Sequence, residues 1–195
     1  SIQKEQQRLA IQDKLAETMM RDPVTNLANR NRFERLANKL FSETAEQGFV
    51  VCVAKITRLD EITNTLGLLS VERILRAIAV RLNPTISKMP GVMTIENSNG
   101  PPNSTFQLSG DTFGILIVKS IFESNKEEYQ RFFRTLLLPV DVNSLSIELS
   151  PRIGCATFPE HGSDASKLIR NALVAMESSH TTEDEIVYYD KALDI

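Results

Sequence analysis

The chain contains no tryptophan, two histidines, two cysteines and no apolar run near the ~20 residues a membrane-spanning helix needs. Each shortage closes off a class of function. His161 and His180 are too few and too isolated for a histidine-based metal cluster. Cys52 and Cys155 lack a metal-ligand spacing and fall in strand-like apolar runs, which suits buried thiols in a reducing cytoplasm better than a disulfide framework. The sequence has neither a G-x-x-x-x-G-K phosphate loop nor a G-x-S-x-G nucleophile turn. A formal net charge of −3 gives no general attraction for nucleic acid or an anionic membrane, and no ribbon of basic and aromatic residues compensates. The start, Ser1-Ile2-Gln3-Lys4, is no secretory signal. The expectation is a cytoplasmic piece without nucleic-acid or membrane contacts of its own, or the cytoplasmic part of an inner-membrane protein.

What remains is ordinary globular material: 195 residues, 42% apolar, enough for one core plus an appendage. Residues 1–21 lack Gly and Pro, and Leu9, Ile11, Leu15, Ala16 and Met19 recur at helical spacings. The helix should stop at Asp22-Pro23, because proline disfavours α geometry in the residue before it and Asp22 can bond nearby amides. This linker helix either docks on its own domain or ends a coiled coil. Phe33, Leu36, Ala37 and Leu40 mark a second helix, and Phe49–Ile56 reads as a buried central strand. Residues 58 to about 83 read as two helices split at Gly67 and ended by Pro84, and 89–105 as a turn-rich insertion.

The runs on either side of Ser109-Gly110-Asp111 predict a β-hairpin over 106–118, with Gly110 able to adopt positive φ and a carboxylate at the tip. Tyr129, Phe132, Phe133, Leu136 and Leu137 line a further helix. Leu145–Phe158 is a strand region interrupted near Pro151, and Asp164 opens the last major helix. Alternating strands and helices imply a layered α/β sandwich, with helices packed on a mixed sheet.

Several stretches carry a resemblance. Ser109-Gly110-Asp111-Thr112-Phe113 is similar to the signature hairpin of the GGDEF family, the diguanylate cyclase domains that condense two GTP into cyclic di-GMP. Asp22-Pro23-Val24-Thr25-Asn26-Leu27-Ala28-Asn29-Arg30 resembles the family's opening motif D-x-L-T-G-L-x-N-R, with Asn26 where a glycine stands. Asn is the commonest non-glycine residue at positive φ, so a tight turn accepts it. Arg152-Ile153-Gly154-Cys155-Ala156 through Asp164 resembles the closing run S-I-G-x-A-x-x-P-x-D-G-x-D, and Ile186–Asp190 its terminal strand. The resemblance covers residues 22–190. It implies a nucleotidyl-cyclase-like α+β fold with a five-stranded mixed sheet, residues 22–195 forming the domain and 1–21 the linker helix.

The working parts depart from the family. Lys55 stands where a metal-binding aspartate belongs, Thr112 replaces a glutamate and Ser109 the first glycine, while Asp111 keeps its carboxylate. Magnesium needs oxygen ligands, and an ammonium group has no lone pair to offer. A Lys55–Asp111 ion pair filling the old metal site is expected. Guanine recognition by an asparagine and an aspartate falls on Thr63 and Glu72. Phosphate binding by A-K-x-x-G-R falls on Ser179–Asp184, with His180 and Asp184 replacing the basic pair inside an acidic run. The R-x-x-D product-inhibition motif falls on Gly100 and Asn103 and is absent.

The expectation is therefore a vestigial hairpin (Ser109, Gly110, Asp111, Thr112, Phe113), a vestigial nucleotide pocket (Lys55, Thr63, Glu72, Gly110, His180) and no metal site beyond vestigial Asp111. Mg²⁺ and GTP should bind weakly or not at all. The function implied is a catalytically inactive GGDEF domain regulating an adjoining EAL phosphodiesterase domain, with a sensor upstream and a homodimer possible. The alternatives are an active diguanylate cyclase and a non-catalytic GTP sensor.

Overall fold

The computed structural model describes residues 1–96, 102–135, 139–178 and 186–193. The chain opens with α1 (Ile2–Thr18), capped by the Ser1 hydroxyl. It ends at Thr18, before the expected Asp22-Pro23 stop, and none of its residues is buried. Leu9, Ile11, Leu15 and Met19 are all exposed, so the stripe does not dock on its own domain. Asp22 acts as expected one step later: its Oδ2 accepts from the Val24 and Thr25 amides at 3.1 and 2.9 Å, closing a turn in which Asn26 sits at φ 59°.

The two-residue strand β1 (Ala28–Asn29) leads into α2 (Arg30–Glu43), capped by the Asn29 side chain. The central strand β2 (Phe49–Ile56) follows, then α3 (Leu59–Leu66) and α4 (Leu68–Ile86), broken at Gly67 where φ is 88°. α4 runs past Pro84 instead of ending there. The carbonyl left without its amide partner is that of Val80, whose side chain lies on the exposed face. The hairpin is β3 (Phe106–Ser109) and β4 (Thr112–Val118), with a bulge between Gln107 and Ser109. Two helices, α5 (Lys119–Ser124) and α6 (Lys126–Thr135), replace the single one expected; Leu136 and Leu137 lie outside the described residues.

The strand region expected over 145–158 is interrupted before Pro151, and its first piece, β6 (Leu145–Ile147), pairs with a strand the sequence reading missed, β5 (Val140–Val142), through Asn143 and Ser144, both at positive φ, the geometry that suits the twist of a two-residue hairpin. β7 (Pro151–Phe158) starts on its proline, α7 (Ala165–Glu177) is capped by Asp164 through the Lys167 amide, and β8 (Ile186–Tyr188) and a short 3₁₀ turn, Lys191–Leu193, complete the described chain.

The main sheet has six strands, not five, in the order β1-β3-β4-β2-β7-β8. The extra strand is β1, parallel to β3 through Ala28 and Asn29 and too short to leave a periodic pattern. β2 lies in the middle, antiparallel to both β4 and β7. Its alternation sorts the core into two layers. Val50, Cys52, Ala54 and Ile56 face α4 and α6, while Phe49, Val51 and Val53 face α2 and α7. Each large side chain removed from water on both faces contributes about 1.5–3 kcal/mol, which explains why this strand is apolar throughout until Lys55. α7 lies hard against β7 because Gly154 has no side chain: a Cβ there would fall 2.2 Å from the Ala172 carbonyl oxygen.

Candidate functional site

The hairpin turn, the end of β2 and the start of β7 converge at one end of the sheet. The turn is pinned by backbone, since the Ile56 amide donates to the Asp111 carbonyl at 2.8 Å. Asp111 Oδ1 accepts from Ser109 Oγ at 3.1 Å and from Thr112 Oγ1 at 2.9 Å, so the tip carboxylate is turned back on its own loop. Gly110 is exposed and does not use the left-handed region open to it; a Cβ there would meet nothing within 4 Å. Thr112 and Phe113 are buried at the head of β4.

The sequence reading missed Gln107. Buried inside the hairpin, it donates to the Ser109 carbonyl at 2.6 Å, and its Oε1 lies 3.1 Å from Thr25 Oγ1, itself 3.0 Å from Asp22 Oδ2. The opening motif and the hairpin are thus wired together. A lone amide among the apolar residues of an inner strand was the available signal, because a buried amide must find partners.

Lys55 does not pair with Asp111. It stands opposite Thr112 on β4 and opposite Arg152 on β7, while the residue opposite Asp111 is Ile56, whose side chain points to the other face. On its own face Lys55 meets α7: its Nζ lies 3.3 Å from Glu177 Oε1, and Arg152 reaches Glu177 Oε2 at 3.7 Å. Two cations on adjacent strands therefore share one half-exposed carboxylate.

The other expected pocket residues are not gathered here. The Thr63 hydroxyl donates back to the Leu59 carbonyl at 2.8 Å within α3, and Glu72 on α4 lies 4.0 Å from Arg76 one turn along. Lys55 faces α7, in the opposite layer from α4. His180, with the rest of Ser179–Glu185, lies outside the described residues, as does Gly100. Asn103 instead donates to the buried carboxylate of Glu96 at 2.9 Å.

A divalent cation does not fit this donor set. Lys55 and Arg152 offer no lone pair, and Glu177 is already taken by the two cations. Asp111 alone is an ordinary magnesium ligand.

The family profile described as "Diguanylate cyclase, GGDEF domain" matches residues 19–185. The chain belongs to the GGDEF family. Its relatives include the biofilm architecture maintenance protein MbaA of Vibrio cholerae, 28% identical over 179 residues, and the cyclic di-GMP phosphodiesterase PdeR of Escherichia coli, 24% identical over 176. Those alignments take in 89% and 88% of this chain but only 22% and 23% of the relatives, so the chain spans less than a quarter of the proteins it matches.

Among solved structures, the GGDEF domain of TpbB (YfiN) from Pseudomonas aeruginosa superposes with a TM-score of 0.71 at 20% identity, covering 89% of this chain and 96% of that one. The diguanylate cyclase SiaD of the same organism, solved with its activator SiaC, gives 0.66 at 19% identity, covering 95% and 68%. At these identities the likeness is one of fold. It places this GGDEF domain's hairpin, central strand and flanking helices in a shared architecture. Among the described residues no helix is long and apolar enough to cross a membrane.

Proposed function

We infer that this GGDEF domain is catalytically silent and serves as a regulatory and interaction module in cyclic di-GMP signalling. The observation that carries the reading is the sharing of Glu177 by Lys55 and Arg152 at the end of β2. Joining two GTP molecules needs positive charge on each triphosphate and a base near the attacking hydroxyl. Here the position for a metal-binding carboxylate holds an ammonium group, and the hairpin glutamate position holds Thr112, which cannot take up a proton at neutral pH.

The names of MbaA and PdeR support a role in the same signalling chemistry, and the small share of each that this chain spans supports further domains alongside it. In this reading residues 1–21 are a linker helix and 22–195 the domain. A sensor lies upstream and an EAL phosphodiesterase domain downstream, in the cytoplasm, with a homodimer as one working form. α1, which buries none of its residues, is the element through which an upstream signal would enter.

The test is product formation. Purified protein incubated with GTP and Mg²⁺ or Mn²⁺ should yield no cyclic di-GMP by chromatography. Product whose formation is abolished by Asp111→Ala would overturn the reading.

A further inference from the structure

The first two helices meet at one side chain. Asn29 caps α2 by accepting the Arg32 amide on Oδ1 at 3.2 Å, while its Nδ2 donates to the Met19 carbonyl at the end of α1 at 2.7 Å. Its own amide donates to the Met20 carbonyl at 2.9 Å. The end of α1 is thus held in a bracket at the start of α2, and none of the 17 residues of α1 is buried. The helix is a lever fixed at one end.

From this bracket the two helices lead away along an open groove of about 630 Å³ between them. The α1 wall carries Asp13, Ala16 and Glu17, two acids four residues apart beside an alanine. The α2 wall carries Arg35, Leu36 and Lys39, two bases four residues apart beside a leucine. Residues at that spacing share one helix face, so an acidic face stands across the groove from a basic one. Like charges four apart destabilise their own helix, a cost that an oppositely charged neighbour offsets. Among the described residues, no ion pair engages Asp13, Glu17, Arg35 or Lys39.

We propose that α1 is a strap that closes this groove, with Asp13 and Glu17 pairing with Arg35 and Lys39 while Ala16 packs on Leu36, and that the structure shows the strap open. The small side chain of Ala16 lets the helix axes approach to the roughly 8–10 Å of packed helices. Ile11, Leu15 and Met19 run along the opposite side of α1, so closure leaves that exposed stripe uncovered.

The strap's position reaches the rest of the domain through residues already tied together. Arg32 lines the groove and meets the Glu96 carboxylate at 3.1 Å, and Ile95, next to Glu96 in the chain, lines it too. Closing α1 therefore covers the segment that leads into the hairpin. The inference deepens the reading of α1 as the input element and rests on that reading for its purpose, whereas closure itself depends only on the two helix faces.

The experiment is amide hydrogen exchange across α1 in the full 195-residue chain. An isolated helix of this length is marginal in water, so an open α1 exchanges nearly as fast as unstructured chain. In low-salt buffer the wild type should show residues 10–18 slowed by roughly fivefold or more beyond that, and about 1 M NaCl should remove most of the difference by screening. The charge reversals Asp13→Lys/Glu17→Lys and Arg35→Glu/Lys39→Glu should each abolish the slowing, and the two together should restore it. Lysine near the C-terminal end of a helix favours the helix itself, so faster exchange after the first reversal cannot come from α1's own propensity.

Exchange of wild-type α1 no slower than that of an isolated helix at any salt, slowing that survives either reversal, or failure of the combined variant to restore it would overturn the proposal. Misfolding would release the amides of β2 as well, which the proposal leaves protected in every variant, and the salt response of the wild type tests closure without any substitution. Cyclic di-GMP synthesis would defeat the silent reading and leave the strap standing, while loss of the strap would leave the silent reading untouched.

Discussion

The guanidinium of Arg21 and the carboxylate of Glu96 meet in a two-point pair, Nη1 to Oε1 at 2.7 Å and Nη2 to Oε2 at 2.9 Å, with Arg32 closing on the same carboxylate at 3.1 Å. Arg21 follows α1, Arg32 lies in the first turn of α2, and Glu96 belongs to the segment before the hairpin, where Asn103 also binds it. The chain on either side of the opening turn is thereby tied to the remote segment before the hairpin by one buried carboxylate. Removing one partner of such a cluster leaves charges without their counter-ion. Glu96→Gln should lower stability by about 3 kcal/mol in urea unfolding. Arg21→Ala should cost less, since Arg32 stays in place and Arg21 is partly exposed. A change in Glu96→Gln no larger than that of a typical surface substitution would show that the cluster does not hold the junction.

Gly154 and Gly110 make opposite predictions. A methyl group at Gly154 would sit 2.2 Å from the Ala172 carbonyl oxygen and 2.4 Å from the Met176 amide, both backbone atoms that cannot swing away. Gly154→Ala should therefore force α7 off the sheet and cost about 3 kcal/mol or more. At Gly110 a methyl group meets nothing within 4 Å, and the backbone is not left-handed. Gly110→Ala should change stability by less than about 0.5 kcal/mol. Thermal unfolding of the two variants side by side checks both. A marked loss in Gly110→Ala would mean that the turn itself, and not access to it, needs glycine.

What was legible in the sequence follows the range of the interactions. The bounds of β2, the αL turn at Asn26, the Asp164 cap and the break at Gly67 depend on neighbours a few residues away, and each could be read from residue type and spacing. The partner of Lys55 could not, since Glu177 lies 122 residues further on and is chosen by which face of β2 the side chain takes. Reading Lys55 and Asp111 as a pair assumed one shared face; the register sets Asp111 opposite Ile56 instead. The sixth strand escaped because two residues carry no period, and β5 with its pairing to β6 because the turn between them is Asn-Ser and lacks the usual glycine. The family resemblance identified the fold, but it did not indicate where the substituted charges would find partners.

The two cysteines predict an alkaline limit. Cys52 and Cys155 face each other across β2 and β7 as buried free thiols, and burial pushes the Cys155 thiol well above its ordinary range. In the unfolded chain a thiol ionises near pH 8.5, whereas the folded protein holds its proton. The unfolded state then binds fewer protons, so this contribution is complete below that pH and is lost as the pH rises beyond it. Urea unfolding from pH 7 to 10 should show stability falling above about pH 8.5, and the fall should be reduced in Cys155→Ala after allowing for its lower starting stability. A thiol reagent should leave both groups unmodified in the native protein at pH 8 and react once urea is added.

Magnesium tests the sign of the charge at position 55. A cation that binds only the folded state raises stability by about 2.7 kcal/mol at a hundredfold excess over its dissociation constant, and that moves the melting temperature by several degrees. With Lys55 and Arg152 facing the site, millimolar MgCl₂ should shift the wild-type melting temperature no more than KCl of matched ionic strength does. Lys55→Asp removes the repelling charge and sets a second carboxylate on the face that carries Glu177, so Mn²⁺ should now bind and raise its melting temperature. A magnesium-specific rise in the wild type would mean that the hairpin and its surroundings still hold a cation despite Lys55. No rise with Mn²⁺ in Lys55→Asp would place the obstacle elsewhere, at Thr112 or in the residual charge of Arg152.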